Sequence, residues 1–190
     1  MRKIWEITKI TQNKSHPKIP PGQNVTEKFP VFTYGTTPKI TTEDWQLRVF
    51  GLVSKELSLK WTDFTSLPHI DSTSDLHCVT QWSKMNNKWS GVSFSELIRS
   101  IYIKSEACYV MIYCYDGYNT NLSIEVMMQS NVILATHYNG APLEPDHGGP
   151  MRLVIPNRYG WKSAKWVNGI ELMQEDRLGF WEEMGYHNNG

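Results

Sequence analysis

The chain has 190 residues, 40% of them hydrophobic, and nineteen basic residues balance nineteen acidic ones to a formal net charge of +0. That length is ample for one domain with a real core, so no disulfide staples are required. The cancelled charge excludes a global field for nucleic acid or membrane and leaves only a local basic pocket open.

Three cysteines, Cys78, Cys108 and Cys114, make an odd count with no CxxC spacing. The count argues against a disulfide scaffold and for a reducing compartment. The start, Met1-Arg2-Lys3-Ile4-Trp5, is followed by no long apolar run, small-residue cleavage site or twin arginine, and no stretch approaches membrane-spanning length. A cytoplasmic location with no membrane span and no nucleic acid is the expectation.

In chain order, residues 1–40 read as an N-terminal arm and residues 41–190 as the domain. Pro17, Pro20-Pro21-Gly22-Gln23, Phe29-Pro30, Tyr34-Gly35 and Pro38 forbid a helix and predict an extended arm. Phe29, Val31 and Phe32 give it apolar side chains to bury against the domain. Trp45–Phe50 alternates as a strand ended by Gly51. Leu57–Lys60 is a second short strand, and a helical turn over Trp61–Leu67 stops at Pro68. The cysteine segment around Leu76 and Cys78 is a strand. Ser93 and Glu96 form a capping box for a helix with Phe94, Leu97, Ile98 and Ile101 on one face.

Cys108–Tyr115 is a continuous apolar run of strand length, buried on both faces. Asp116-Gly117-Tyr118-Asn119 is a turn, and Ser123 caps a short helix through Met128. Val132–Tyr138 is a strand, and Asn139-Gly140 is a strong hairpin signal leading to Pro142-Leu143. Met151–Ile155 and Lys165–Met173 are the remaining strands. There is no internal repeat and no βαβ rhythm, so the class is α+β and strand-rich.

Leu76-His77-Cys78-Val79-Thr80-Gln81-Trp82-Ser83 is the first stretch that points to chemistry. A lone strand cysteine is more often an inert core residue than a reactive one. His77 points to the opposite face of a strand from Cys78, so the two make a poor nucleophile–base pair. A cysteine hydrolase would need a distant base such as His69, His137 or His147. The three cysteines match no zinc spacing, so a single thiolate holds a metal only if a cofactor brings most of the other ligands. Downstream, Gly148-Gly149-Pro150 permits close backbone approach, Arg152 offers a planar fork, and Lys162, Ser163 and Lys165 follow the turn at Tyr159-Gly160. Lys162 alone reads as a surface lysine; Arg152 and Lys165 together read as an anion site.

The cysteine segment, with His147-Gly148-Gly149-Pro150-Met151-Arg152-Leu153-Val154-Ile155-Pro156 and Tyr159-Gly160-Trp161-Lys162-Ser163-Ala164-Lys165-Trp166, resembles the molybdopterin-binding domain of the sulfite oxidase superfamily. It is most similar to the small stand-alone members and to bacterial methionine-sulfoxide reductase catalytic subunits. The resemblance implies a sulfite-oxidase-type fold of mixed β-sheets with peripheral helices, and a molybdenum held by the dithiolene of molybdopterin and by one protein cysteine. Cys78 matches the metal ligand. His77, His147, Arg152, Ser163, Ala164 and Lys165 match pterin and phosphate contacts, with Thr33, Tyr34 and Cys114 as further ones.

The function implied is oxygen-atom transfer to or from a small substrate. Asp116 is the second catalytic candidate, and Tyr115, Tyr118 and Trp82 shape the substrate side. Electrons would come from or go to an external partner, since no haem-binding segment is present. Leu76 stands where many relatives carry an arginine, so the resemblance does not carry sulfite over as substrate. A non-catalytic binding module on the same fold and a cysteine hydrolase are the alternatives.

Overall fold

The alternating and doubly buried runs of the sequence pair into two mixed sheets in the computed structural model, which describes residues 19–190. The first eighteen residues of the expected arm lie outside the described residues. The chain runs through β1 (Asn24–Val25), β2 (Gln46–Gly51), β3 (Leu57–Lys60), α1 (Trp61–Thr65), β4 (Ile70–Cys78), β5 (Trp82–Ser93) and α2 (Phe94–Leu97). It continues through β6 (Tyr109–Cys114), β7 (Asn119–Ser123), α3 (Ile124–Met127), β8 (Ile133–Tyr138) and β9 (Ala141–Pro142). The last elements are β10 (Arg152–Val154), β11 (Val167–Met173) and α4 (Phe180–Glu183). The α+β class is the observed one, with short helices at the ends of strands.

One sheet has the order β3-β2-β11-β6-β7, with β2 and β11 parallel and the other pairs antiparallel. The apolar run at Cys108–Tyr115 becomes β6, flanked on both sides, which explains why its residues alternate so little. The other sheet has the path β1-β5-β8-β10, with β4 added on β5 and β9 on β8. Pleating sorts its residues by face. Val92, Leu134 and Leu153 stand in register on one face and join Leu47, Val49, Val110, Ile112, Ile170 and Leu172 of the first sheet in the main core. Ile133, Ala135 and Val154 point the other way, into a second cluster with Trp89 and Leu143. Phe29 of the arm covers that cluster, 5.0 Å from the Tyr138 ring and 6.0 Å from that of Trp89. No helix among the described residues is long and apolar enough to cross a membrane.

Three local expectations need correction. The helix expected through Ile101 is one turn, Phe94–Leu97, closed by tighter bonds such as that of Arg99 N–H to Glu96 O. Ser93 Oγ does accept the Glu96 N–H at 3.1 Å, but a cap does not extend a helix that packing stops. The cysteine segment is not one strand: the chain reverses at Val79–Gln81, with Gln81 at φ 68, so Cys78 pairs with Trp82 across a hairpin. β7 was not foreseen, because its polar Asn119, Thr120 and Asn121 carry no strand signal; Thr120 and Asn121 are nonetheless buried.

Lys162 is likewise not a surface lysine. Its ammonium lies fully buried, 2.7 Å from Glu182 Oε1, and donates to Asn121 O at 2.8 Å and Oδ1 at 3.0 Å. Trp161 Nε1 donates to the same Glu182 oxygen at 3.0 Å. The pair bolts α4 and β7 to the loop that carries residues 159–165. Lys162→Met leaves a buried carboxylate without its counter-charge and should cost about 3–5 kcal/mol in urea denaturation. Combining it with Glu182→Met should restore most of that loss.

Candidate functional site

A cavity of about 380 Å³ opens where the arm, the β4–β5 hairpin tip and the loops around Arg152 and Lys165 converge. On one side is the Cys78 thiol, half-buried at the end of β4. Thr80 Oγ1 donates to its sulfur at 3.0 Å. The His77 ring does not reach the sulfur; its Nδ1 lies 2.7 Å from Ser83 Oγ, and burial holds its pKa below the ordinary imidazole value. Among the described residues no basic side chain bonds the sulfur, an arrangement that suits a soft metal ligand better than a nucleophile activated by a base.

On the other side are Arg152 and Lys165, bridged as neighbours across antiparallel chain segments. The Arg152 guanidinium is buried and donates only to backbone among the described residues: to His147 O at 2.9 Å, Ser163 O at 2.8 Å and Leu153 O at 3.5 Å. Burial pulls its pKa down to about 10. Lys165 Nζ donates to Thr33 Oγ1 at 2.7 Å and Asp146 O at 2.8 Å, over the Trp166 ring at 4.6 Å. Burial, and then the neighbouring Arg152 charge, lower it to about 8. Neither cation has an ion-pair partner among the described residues. Two buried or half-buried cations held by carbonyls and a hydroxyl, with no carboxylate paired to either among the described residues, are an arrangement able to take an anion.

Glycine makes this closeness possible at one position. Gly148 has φ +104, and a Cβ there would come within 2.9 Å of Arg152 Cβ and 3.0 Å of Lys165 Cβ. It follows the turn of 3-10 helix Pro145–His147, so the cradle and His147 are set by the same bend. The His147 ring stacks on Phe29 at 3.9 Å, and burial followed by the Arg152 and Lys165 charges lowers its pKa. His147 is therefore neutral at pH 7 and adds no third cation.

Of the residues expected at the site, Thr33, Tyr34, Cys78, Asp116, His147, Arg152, Ser163, Ala164 and Lys165 all line the cavity. His77 and Cys114 do not. His77 faces Ser83, and Cys114 is buried in the main core, where desolvation raises its thiol pKa well above the ordinary value. Asp116 is exposed and its Oδ1 accepts the Tyr118 N–H at 3.1 Å. Of the expected substrate-side aromatics, Trp82 and Tyr118 line the cavity, while Tyr115 turns away to bond Gln46.

Sequence reasoning missed Phe29 as the platform for His147, and missed Trp161, Trp181 and Tyr186 on the cavity wall. The last two come from the segment after β11. Nothing in its spacing shows that α4 folds back to the cavity.

A family model described as the oxidoreductase molybdopterin binding domain matches residues 34–181. The chain is 41% identical over 185 residues to the uncharacterized oxidoreductase YuiH of Bacillus subtilis strain 168, covering 96% of this chain and 92% of that protein. It is 30% identical over 172 residues to the putative protein-methionine-sulfoxide reductase subunit YedZ1 of Azospira oryzae, covering 89% of this chain and 65% of that one. Among solved structures, the sulfane dehydrogenase SoxCD of Paracoccus pantotrophus has the same fold over 73% of this chain and 40% of its own, with a TM-score of 0.68 at 24% identity.

The lowered Lys165 pKa gives the anion site a pH signature. Below about 8 the ammonium is charged, and above it the charge is lost unless an anion holds the proton. Sulfate keeps its two charges throughout this range. Its affinity for the metal-free protein, measured by calorimetry, should be flat up to a pH of about 8 and fall beyond it. Lys165→Met should weaken binding and remove that step; an unchanged pH profile in this variant would contradict the assignment.

Proposed function

The chain belongs to the family of oxidoreductase molybdopterin-binding domains, and from that premise we propose that it transfers an oxygen atom to or from a small substrate at a molybdenum ligated by Cys78. It is a molybdopterin-dependent oxidoreductase, and its cofactor is Mo-molybdopterin. The observation that carries the finer reading is one cavity with a thiol on one wall and two cations without carboxylate partners on another.

The residues suit that group. A phosphate needs charge and a close backbone, which Arg152, Lys165 and the Gly148 bend supply. Trp82 lines the cavity with its Nε1–H buried and without a partner among the described residues, a donor left over for a ligand. When bound, the molybdenum supplies two-electron oxygen-atom transfer, chemistry that no side chain provides.

The protein's own groups divide the remaining work. Cys78 holds the metal from the hairpin tip, and Thr80 orients the sulfur by its hydrogen bond. Arg152 and Lys165 neutralise the phosphate, with Thr33 and the Asp146 carbonyl aiming the ammonium. The backbones of Ser163 and Ala164 fix the spacing of this end, by accepting from Arg152 and from the Leu153 N–H. His147, neutral and stacked on Phe29, is a flat wall for the pterin.

Asp116 and Tyr118 shape the substrate side. Burial raises the Tyr118 pKa and its hydroxyl donates to Trp161 O at 2.7 Å, so it stays a neutral phenol. Electrons are exchanged with an external redox partner, a reading supported by the Azospira relative being named a subunit. The three free cysteines support a reducing, cytoplasmic setting.

Cys78→Ser tests the ligation directly. Protein purified from a host that makes the cofactor should keep its circular dichroism and unfolding midpoint. It should lose turnover with reduced viologen as donor, and its Mo(V) electron paramagnetic resonance should change. Wild-type turnover with an unaltered resonance would sink the assignment.

A further inference from the structure

We propose that Gln23 is a positioning residue for the Cys78 thiol, stapling both limbs of the cysteine hairpin to the arm and so fixing the direction of Sγ. The inference rests on the reading that Cys78 is the metal ligand. It concerns a residue that lies before the segment matched by the family model.

The need for a staple comes from where the cysteine sits. Cys78 is the last residue of β4, and beyond it Val79, Thr80 and Gln81 are all exposed, with Gln81 in the left-handed region. The tip of a two-stranded hairpin is only marginally stable by itself. A metal ligand placed there would swing with the turn.

The arm removes that freedom. β1 pairs in parallel with the start of β5, Asn24 opposite Trp82 and Val25 opposite Ser83. Asn24 N–H donates to Gln81 O and Thr26 N–H to Ser83 O, each at 2.9 Å. Gln23, buried at 7% exposure, reaches between the two limbs. Its Nε2 donates to Cys78 O at 2.8 Å, and its Oε1 accepts from Ser83 Oγ at 3.1 Å. Because the Ser83 proton goes to Gln23, the contact at 2.7 Å to His77 is made by His77 Nδ1–H donating to Ser83 Oγ. One amide thereby ties the residues on either side of the turn and the orientation of His77 together.

Gln23 is itself delivered by a rigid turn. In Pro20-Pro21-Gly22-Gln23 the Gln23 N–H donates to Pro20 O at 3.2 Å, and Gly22 has φ 78, which marks a type II turn with proline at its first central position. Two prolines limit what the chain loses on ordering, so the staple is held out in advance. A group that orients a metal ligand from behind commonly costs roughly ten- to a hundredfold in activity or metal affinity when removed.

The test compares Gln23→Ala and Gln23→Glu with wild type and with Thr26→Ala, an arm change away from the amide. Gln23→Glu preserves size but cannot donate to Cys78 O. In protein matched for molybdenum content, both Gln23 variants should shift the Mo(V) resonance and lower kcat roughly ten- to a hundredfold with little change in KM. Thr26→Ala should match wild type.

A readout free of the cofactor guards against poor loading. In metal-free protein on a Cys108→Ser background, alkylation of Cys78 by iodoacetamide should accelerate in the Gln23 variants only. Resonances and alkylation rates identical to wild type overturn the proposal. If instead Cys78→Ser leaves the resonance unaltered while the Gln23 variants speed alkylation, the ligation reading fails and the staple stands.

Discussion

A buried guanidinium must find acceptors for its N–H groups, and among the described residues Arg152 finds carbonyl oxygens alone, each of its three nitrogens donating to one. Two of the carbonyls belong to His147 and Ser163, so the loops on either side of β10 must close around one side chain. The glycine bend at 148 and the turn at 160–162 are the local means of doing so. Once closed, they leave the cation with no carboxylate paired to it among the described residues, and the proposed anion site rests on that unpaired charge. Positive charge held by dipoles is available to an incoming anion, whereas charge already paired with a carboxylate is not.

Two lysines three residues apart show the distinction. Lys162 is spent on Glu182 and holds α4 and β7 to the loop. Lys165 donates to a hydroxyl and a carbonyl and has no ion-pair partner among the described residues; its lowered pKa reflects burial and then the Arg152 charge, which Asp116 and Asp146 only partly offset. One stabilises the frame and the other stores the unbalanced charge that a phosphate would relieve. The net charge of the chain, +0, hides both roles.

The arm serves the two ends of the cavity by different means. At the basic end Phe29 stacks on His147 and Thr33 holds Lys165. At the sulfur end β1 and Gln23 take up the hairpin tip. A single extended segment therefore contacts both the thiol end and the basic end, and a cofactor held at both would have to match the separation between them. Extended backbone suits this work because successive side chains alternate in direction and reach different partners.

Much of this was legible in the chain itself. Local signals decided the α+β class, the apolar β6, the Asn139-Gly140 hairpin and the one-turn helix capped by Ser123, since each depends on neighbours within a few residues. The motif around Cys78 and the run from His147 to Lys165 named most of the cavity wall, and the family match covers them. Tertiary structure alone decided the rest. Whether a lysine is frame or site depends on a glutamate twenty residues away, and whether His77 meets the cavity depends on a hairpin that turns it towards Ser83. Trp181 of α4 and Tyr186 reach the cavity in a tail whose helix is held to the 160–162 turn by a buried ion pair. The role of Gln23 is invisible in sequence, because a glutamine carries no charge or period, and its meaning comes from the two limbs it happens to join.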